Sequence, residues 1–146
     1  MKVSIYINSC HKGHLSLGKG SYGIVLEYIL KNGEPYTKEI YDSLQPTTKN
    51  KTALCSCIKA LEEIKKSCNI TLYINNRYVT ETINQEWYKN WDFELWKNKG
   101  KPIPNAEEWK LLLLQMEFHK INFIYEEETS YTSYLKTKIK KMEDWK

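Results

Sequence analysis

The chain has 146 residues, of which 41% are hydrophobic and 27% charged, and its net charge is +4. That composition reads as one soluble, globular domain with its own core. No apolar run approaches the roughly 18 residues a membrane-spanning helix needs, and the mild charge permits nucleic-acid binding without demanding it.

The N-terminal "MKVSIYIN" alternates as a strand over residues 2–8 and lacks the apolar core of a secretory leader, so the expected compartment is the cytoplasm. Val3, Ile5 and Ile7 share one face, Tyr6 and Asn8 the other. Asn8 then stands where the strand opens into a Gly-rich loop. "SYGIVLEYIL" (21–30) and "PYTKEIYDSL" (35–44) are the next two strands, joined as a hairpin by the Asn-Gly turn of "KNGE". A helix follows over 47–66, with Leu54, Cys57, Ile58, Leu61 and Ile64 at helical spacing and Thr47 or Thr48 as its cap.

"NITLYINN" (69–76) is a fourth strand, with Ile70, Leu72 and Ile74 on one face and Tyr73 and Asn75 on the other. Residues 77–96 read as helical in one or two pieces, 97–105 as a turn-rich loop, and 106–118 as a helix capped by Asn105. "KINFIYEE" (120–127) is the fifth strand, and 131–146 a terminal helix. A hairpin followed by αβ units predicts a mixed α/β sheet in a single domain spanning 1–146.

Cys10, Cys55, Cys57 and Cys68 form no CxxC pair, and His11 and His14 lie far from the last three in sequence, so these read as reduced thiols rather than a zinc site. Lysine is unevenly spread. Residues 49–66 carry five lysines against two glutamates, and 136–146 carry five against two acids. Either run is a solvated helix face or a surface for an anionic partner.

The first and fourth strands repeat one pattern: three alternating apolar residues, a tyrosine on the opposite face, and an asparagine two residues later. As parallel neighbours they would bring Asn8 and Asn75 together at one rim, near the start of the helix that carries Ala53. Here the chain resembles type 1 ribonuclease H. The resemblance rests on "IYINSC", "GSYGIVLEY", "TTKNKTALCSCIKALEEIKK", "LYINNRYVTETINQEWYKNW", "WKNKGKPIPNAEEWKLL" and "HKINFIY", and covers about residues 3–127 in order. It implies a five-stranded mixed sheet in order 3-2-1-4-5 flanked by helices.

It also implies a site. Family members cleave the RNA of RNA–DNA hybrids with two divalent ions held by carboxylates. The family's acids fall here on Asn8, Ala53 and Asn75. Its fourth acid would begin the terminal helix, where "TSYTSYLKTKIKKM" (129–142) has none, and Thr129 or Ser130 stands near the place of its mobile histidine. Mg²⁺ binds hard anionic oxygens, so no intact catalytic set, no metal site and no cofactor are expected. Asp→Asn and Glu→Ala are also standard inactivating substitutions. The unmatched fourth acid, and Ser9 where the family has Gly, point instead to natural divergence.

Three functions follow. In the first, the protein is an inactive nucleic-acid-binding module for RNA–DNA hybrid or another duplex, with Lys49, Asn50, Lys51, Lys97, Lys99 and Lys101 on phosphates. In the second, it is an atypical Mg²⁺- or Mn²⁺-dependent nuclease built on Glu126, Glu127 and Glu128 or on other acids. In the third, it is an interaction scaffold that docks a protein through Asn8, Asn75 and Tyr78. Trp87, Trp91, Trp96 and Trp109 either stack on bases or pack the helical protrusion, as the family uses them.

Overall fold

The computed structural model describes residues 2–12 and 17–144. In chain order the elements are β1 (Lys2–Lys12), β2 (Gly18–Ile29), β3 (Pro35–Thr47), α1 (Lys49–Glu62), β4 (Asn69–Ile74) and α2 (Arg77–Asn84). A 3₁₀ turn (Trp87–Asn90), β5 (Lys97–Asn98), β6 (Lys101–Pro102), α3 (Ala106–Phe118), β7 (Lys120–Tyr125) and α4 (Thr132–Asp144) follow. The main sheet has the order β3-β2-β1-β4-β7. β1 runs antiparallel to β2 and parallel to β4, and β4 runs parallel to β7. β7 is the fifth strand of the sequence reading, so the expected sheet order is the observed one.

Two periodicities build the core. Val3, Ile5 and Ile7 on β1 and Ile70, Leu72 and Ile74 on β4 alternate onto one face and are buried there. α1 covers that face with Ala53, Leu54, Cys57, Ile58 and Leu61, all part of the same core cluster. Each Leu or Ile so buried contributes about 1.5–3 kcal/mol. On the opposite face Tyr6 stacks on Tyr73 with ring centroids 5.0 Å apart, and Tyr131 tilts against Tyr6 at 4.8 Å. α4 lays the buried Leu135 and Ile139 over the same side.

Several boundaries differ from the expected ones. β1 does not end at residue 8. Only its parallel ladder with β4 stops there, at Ile7 beside Ile74, while its antiparallel ladder with β2 runs on to Lys12. Strand residues to Lys12 and from Gly18 thus fall within the expected Gly-rich loop, and residues 13–16, with His14, lie outside the described residues. α1 begins two residues later than expected, because β3 continues to Thr47 and Thr48 is the cap, its hydroxyl accepting from Lys51 N at 3.1 Å. It stops at Glu62, where Ile64 N bonds Leu61 O in a tightened turn that returns Ile64 to the core.

The 77–96 helix is only α2 and the 3₁₀ turn. Glu86 takes a left-handed φ of 58° between them, and Trp91 folds inward against Trp109 with Trp96 packed on Trp91. Within 97–105, β5 and β6 form a small hairpin. Its two-residue turn, Lys99–Gly100, has φ of 52° and 80°, the mirror-turn geometry that suits strand twist. Asn105 sits at the start of α3 as expected, but in the left-handed region and with no side-chain cap bond. Residues 145–146 of the expected terminal helix lie outside the described residues. No helix among the described residues is long and apolar enough to cross a membrane.

Candidate functional site

At the rim where the β1–β4 ladder ends, the two asparagines meet. Asn75 donates from Nδ2 to Asn8 Oδ1 at 3.3 Å and to the Ser9 carbonyl at 3.0 Å. Its Oδ1 accepts from Ser9 N at 2.9 Å. Asn75 thereby continues, with a side chain, the pairing that the β4 backbone has just left. Asn8 is 2% exposed, and its Nδ2 lies 3.4 Å from Cys10 Sγ. Opposite Asn8 in the sheet is Gly23, whose missing side chain leaves room for the Tyr41 ring and Leu135.

The first turns of α1 reach the same rim. Asn76 caps α2 by accepting from Val79 N at 2.9 Å, and donates to Asn50 Oδ1 at 3.2 Å. Ala53, three residues beyond Asn50, shares that side of α1 and is fully buried. The first turn of α1 is pressed closely onto the sheet. A Cβ on Gly20 would fall 2.0 Å from Thr52 Oγ1, so only glycine fits there. Asn76 and Gly20 were not singled out in the sequence, although an Asn three residues before Val79 is a recognisable cap signal.

The donor set does not fit a divalent ion. Mg²⁺ sites are built from anionic oxygens, and here two amides are hydrogen-bonded to each other beside a helix that offers a methyl. Nor do the glutamates after β7 converge. Glu126 N bonds Ile74 O at 3.0 Å, which sets this segment at the rim, but its side chain is exposed. Glu127 accepts the Tyr125 hydroxyl, and Glu128 lies 3.9 Å from Lys136. The three glutamates expected as a replacement metal site thus have separate surroundings. Among the described residues, no three His, Cys, Asp or Glu side chains come together. At the start of α4, Thr132 Oγ1 accepts from Thr129 N at 2.7 Å, and no acid lies in the first turn.

A carboxylate does reach the far end of β1 from the other end of α4. Glu143 takes Lys12 Nζ at 2.8 Å and Ser21 Oγ at 3.1 Å. The Lys12 hydrogen bond holds its carboxyl below the usual range. Cys10 nearby is half-buried, and burial raises its thiol pKa. Cys10, Cys55, Cys57 and Cys68 are all free.

The expected lysines fall in two groups. Lys49 is exposed and Lys51 half-buried in the first turn of α1, and Lys97, Lys99 and Lys101 are exposed along the β5–β6 hairpin. The tryptophans are mostly packing. Trp109 is fully buried, and its Nε1 donates to the Tyr78 hydroxyl at 3.0 Å. Trp91 lies edge-on to it at 5.5 Å, while Trp87 is 48% exposed. Of the expected docking rim of Asn8, Asn75 and Tyr78, Asn75 is half-buried and bonded to Asn8 and Ser9. Asn8 is buried, and Tyr78 is committed to the aromatic cluster.

The RNase H family model matches residues 1–127. The ribonuclease H of Lachnoclostridium phytofermentans is 34% identical over 126 residues, 86% of this chain and 79% of that protein. That of Clostridium botulinum strain Hall is 38% identical over 125 residues, 84% and 80% of the two chains. Among solved structures, LC9-RNase H1, a type 1 RNase H with the type 2 active-site motif, matches with a TM-score of 0.80. Its identity is 19%, and the match covers 96% of this chain and 71% of that one. LC11-RNase H1 in complex with an RNA/DNA hybrid matches with a TM-score of 0.62 and 18% identity, covering 96% and 98%. These two likenesses are ones of fold. With the matched span, the identities and the sheet order in agreement, this chain belongs to the type 1 ribonuclease H family.

Proposed function

We propose that this protein keeps the duplex recognition of its family and has lost the family's metal-dependent hydrolysis. The observation that carries the reading is the closed amide pair. Asn75 uses both its donor and its acceptor on Asn8 and Ser9, so the rim presents hydrogen bonds already made instead of charge waiting for a cation. No Mg²⁺ or Mn²⁺ is required for folding or binding under this reading, and no hydrolytic step runs through one.

A neutral rim has a further consequence for binding. A cluster of carboxylates repels a phosphodiester unless metal stands between them. Amides and a methyl do not, so a duplex can seat without a divalent ion. Lys49, Asn50 and Lys51 offer one contact group, and Lys97, Lys99 and Lys101 a second. The hybrid bound to LC11-RNase H1, and that bound to the foamy viral protease–reverse transcriptase, support an RNA–DNA hybrid as the ligand. Four free cysteines, two of them buried, fit a reducing compartment, and the reading extends to a cytoplasmic location.

The test is hybrid binding in chelator across a salt series. Lysine–phosphate contacts release counterions, so affinity should fall linearly on logarithmic axes as salt rises. Lys49→Ala and Lys51→Ala should each flatten that slope by about one unit. Absence of binding at low salt, or affinity indifferent to salt, would reject the duplex reading in favour of a protein partner.

A further inference from the structure

Helix α3 is apolar on two opposite sides. Trp109 and Leu112 are fully buried toward the core, with Met116 packed beside them. On the outer side Leu111, Leu114 and Phe118 are 49%, 60% and 47% exposed. At 3.6 residues per turn these three fall within about 60° of arc, with Leu114 at one edge. Beyond Leu114 the flank carries Lys110 and Glu117. A groove of about 610 Å³ adjoins that flank, lined in part by Phe93, Trp96 and Leu113. A helix that is hydrophobic all round is ordinarily covered all round, and exposed apolar patches with a polar border mark interaction surfaces.

The charges identify what covers this one. Lys110 and Glu117 lie four residues before and three residues after Leu114, on the same flank. When two helices pack antiparallel about a two-fold axis, like flanks face each other and positions on either side of the axis exchange. With the axis at Leu114, Lys110 meets the partner subunit's Glu117, and Glu117 meets the partner subunit's Lys110. Leu111 then meets the partner subunit's Phe118, and Leu114 its own copy. A parallel pairing leaves the two charges about 10 Å apart along the axis and unmatched. A strongly acidic or basic partner would be met by one sign, and this flank has both in balance. Glu117 has no ion partner among the described residues. Lys110 has only the surface pair with Glu107 at 3.0 Å and a contact over Trp96 at 5.0 Å, both exchangeable.

We propose that α3 is the centre of an isologous homodimer, two copies packed antiparallel about Leu114 with reciprocal Lys110–Glu117 pairs. This interface is self-complementary, as a two-fold contact requires. It stands independently of the duplex-binding reading.

Sedimentation of the full chain over a wide concentration range tests it. The mass should rise from one 17.4 kDa chain to two. K110E and E117K should each weaken association about tenfold or more, by opposing like charges, and K110E/E117K together should restore it. L114R should remain a single chain with an unchanged circular dichroism spectrum. A single chain at every concentration would overturn the proposal. So would a dimer indifferent to L114R, or single charge reversals that the double variant fails to rescue.

Discussion

Replacing Asn75 with aspartate is a sharp test of the amide pair, because it changes one NH₂ for an oxygen and little else. The acceptor to Ser9 N at 2.9 Å survives. The two donors are lost, and the new oxygen faces the Asn8 Oδ1 and Ser9 carbonyl oxygens that Nδ2 now bonds at 3.3 and 3.0 Å. Two hydrogen bonds at about 1 kcal/mol each, with the acceptor–acceptor contact added, give a loss of about 2–3 kcal/mol. For a domain of this size that is roughly 4 °C of Tm per kcal/mol, or about 8–12 °C. The loss should also depend on pH. Burial and facing acceptors raise the folded carboxyl's pKa above the ordinary value of about 3.9. The penalty is therefore complete above the folded pKa and shrinks as pH falls through it, because the protonated group regains a donor. Thermal melts of both proteins, in chelator from neutral to acid pH, measure this. A variant within about 2 °C of the parent at neutral pH, where ~1 kcal/mol or more should already show, would mean that the amide hydrogen bonds do not hold this rim together.

Three other outcomes are expected. The triple variant Asn8→Asp, Ala53→Glu, Asn75→Asp should melt lower than the parent in chelator, and Mg²⁺ should recover part of the loss only in the variant, since a ligand stabilises what it binds. An unchanged melting curve with no Mg²⁺ response would show that the three positions do not converge. Gly20→Ala should cost about 1–3 kcal/mol by overpacking, because its Cβ would lie 2.0 Å from Thr52 Oγ1; Thr52→Ala should relieve part of that cost in the double variant, and simple additivity would contradict the contact. His119 is buried with Nδ1 accepting from Cys68 N at 3.1 Å, and burial pushes its pKa below 6.5. Below pH 6.5 the unfolded chain takes up a proton that the folded chain resists. Stability measured by denaturant should therefore fall as pH drops from 6.5 toward the folded value, and His119→Asn should flatten that dependence.

The fold was largely legible. The alternation of Val3, Ile5 and Ile7, and of Ile70, Leu72 and Ile74, identifies two strands buried on one face, and the spacing of Leu54, Ile58 and Leu61 identifies the helix that covers them. The family resemblance supplied the strand order that periodicity alone leaves open. Boundaries were harder to read wherever long-range contact decided them. β1 runs past Asn8 because β2 continues to pair with it, and the 77–96 segment breaks where Trp91 packs on Trp109 and Trp96 on Trp91. The meeting of Asn8 and Asn75 could be anticipated, but not the way Asn75 spends its amide on Ser9. Backbone partners of a side chain carry no sequence mark. The four-leucine run of α3 marks an apolar helix without saying that it is apolar on two sides. That follows from which leucines the core takes.

Under the proposed function, this member of the family holds duplexes without cutting them. Single-turnover incubation with an RNA–DNA hybrid, protein in excess, in Mg²⁺ and then Mn²⁺, with bound and cleaved fractions read from the same samples, tests it most directly. The expected result is a bound hybrid with its RNA strand intact to the level of a protein-free blank. RNA cleavage that rises with the bound fraction and stops in chelator would contradict it.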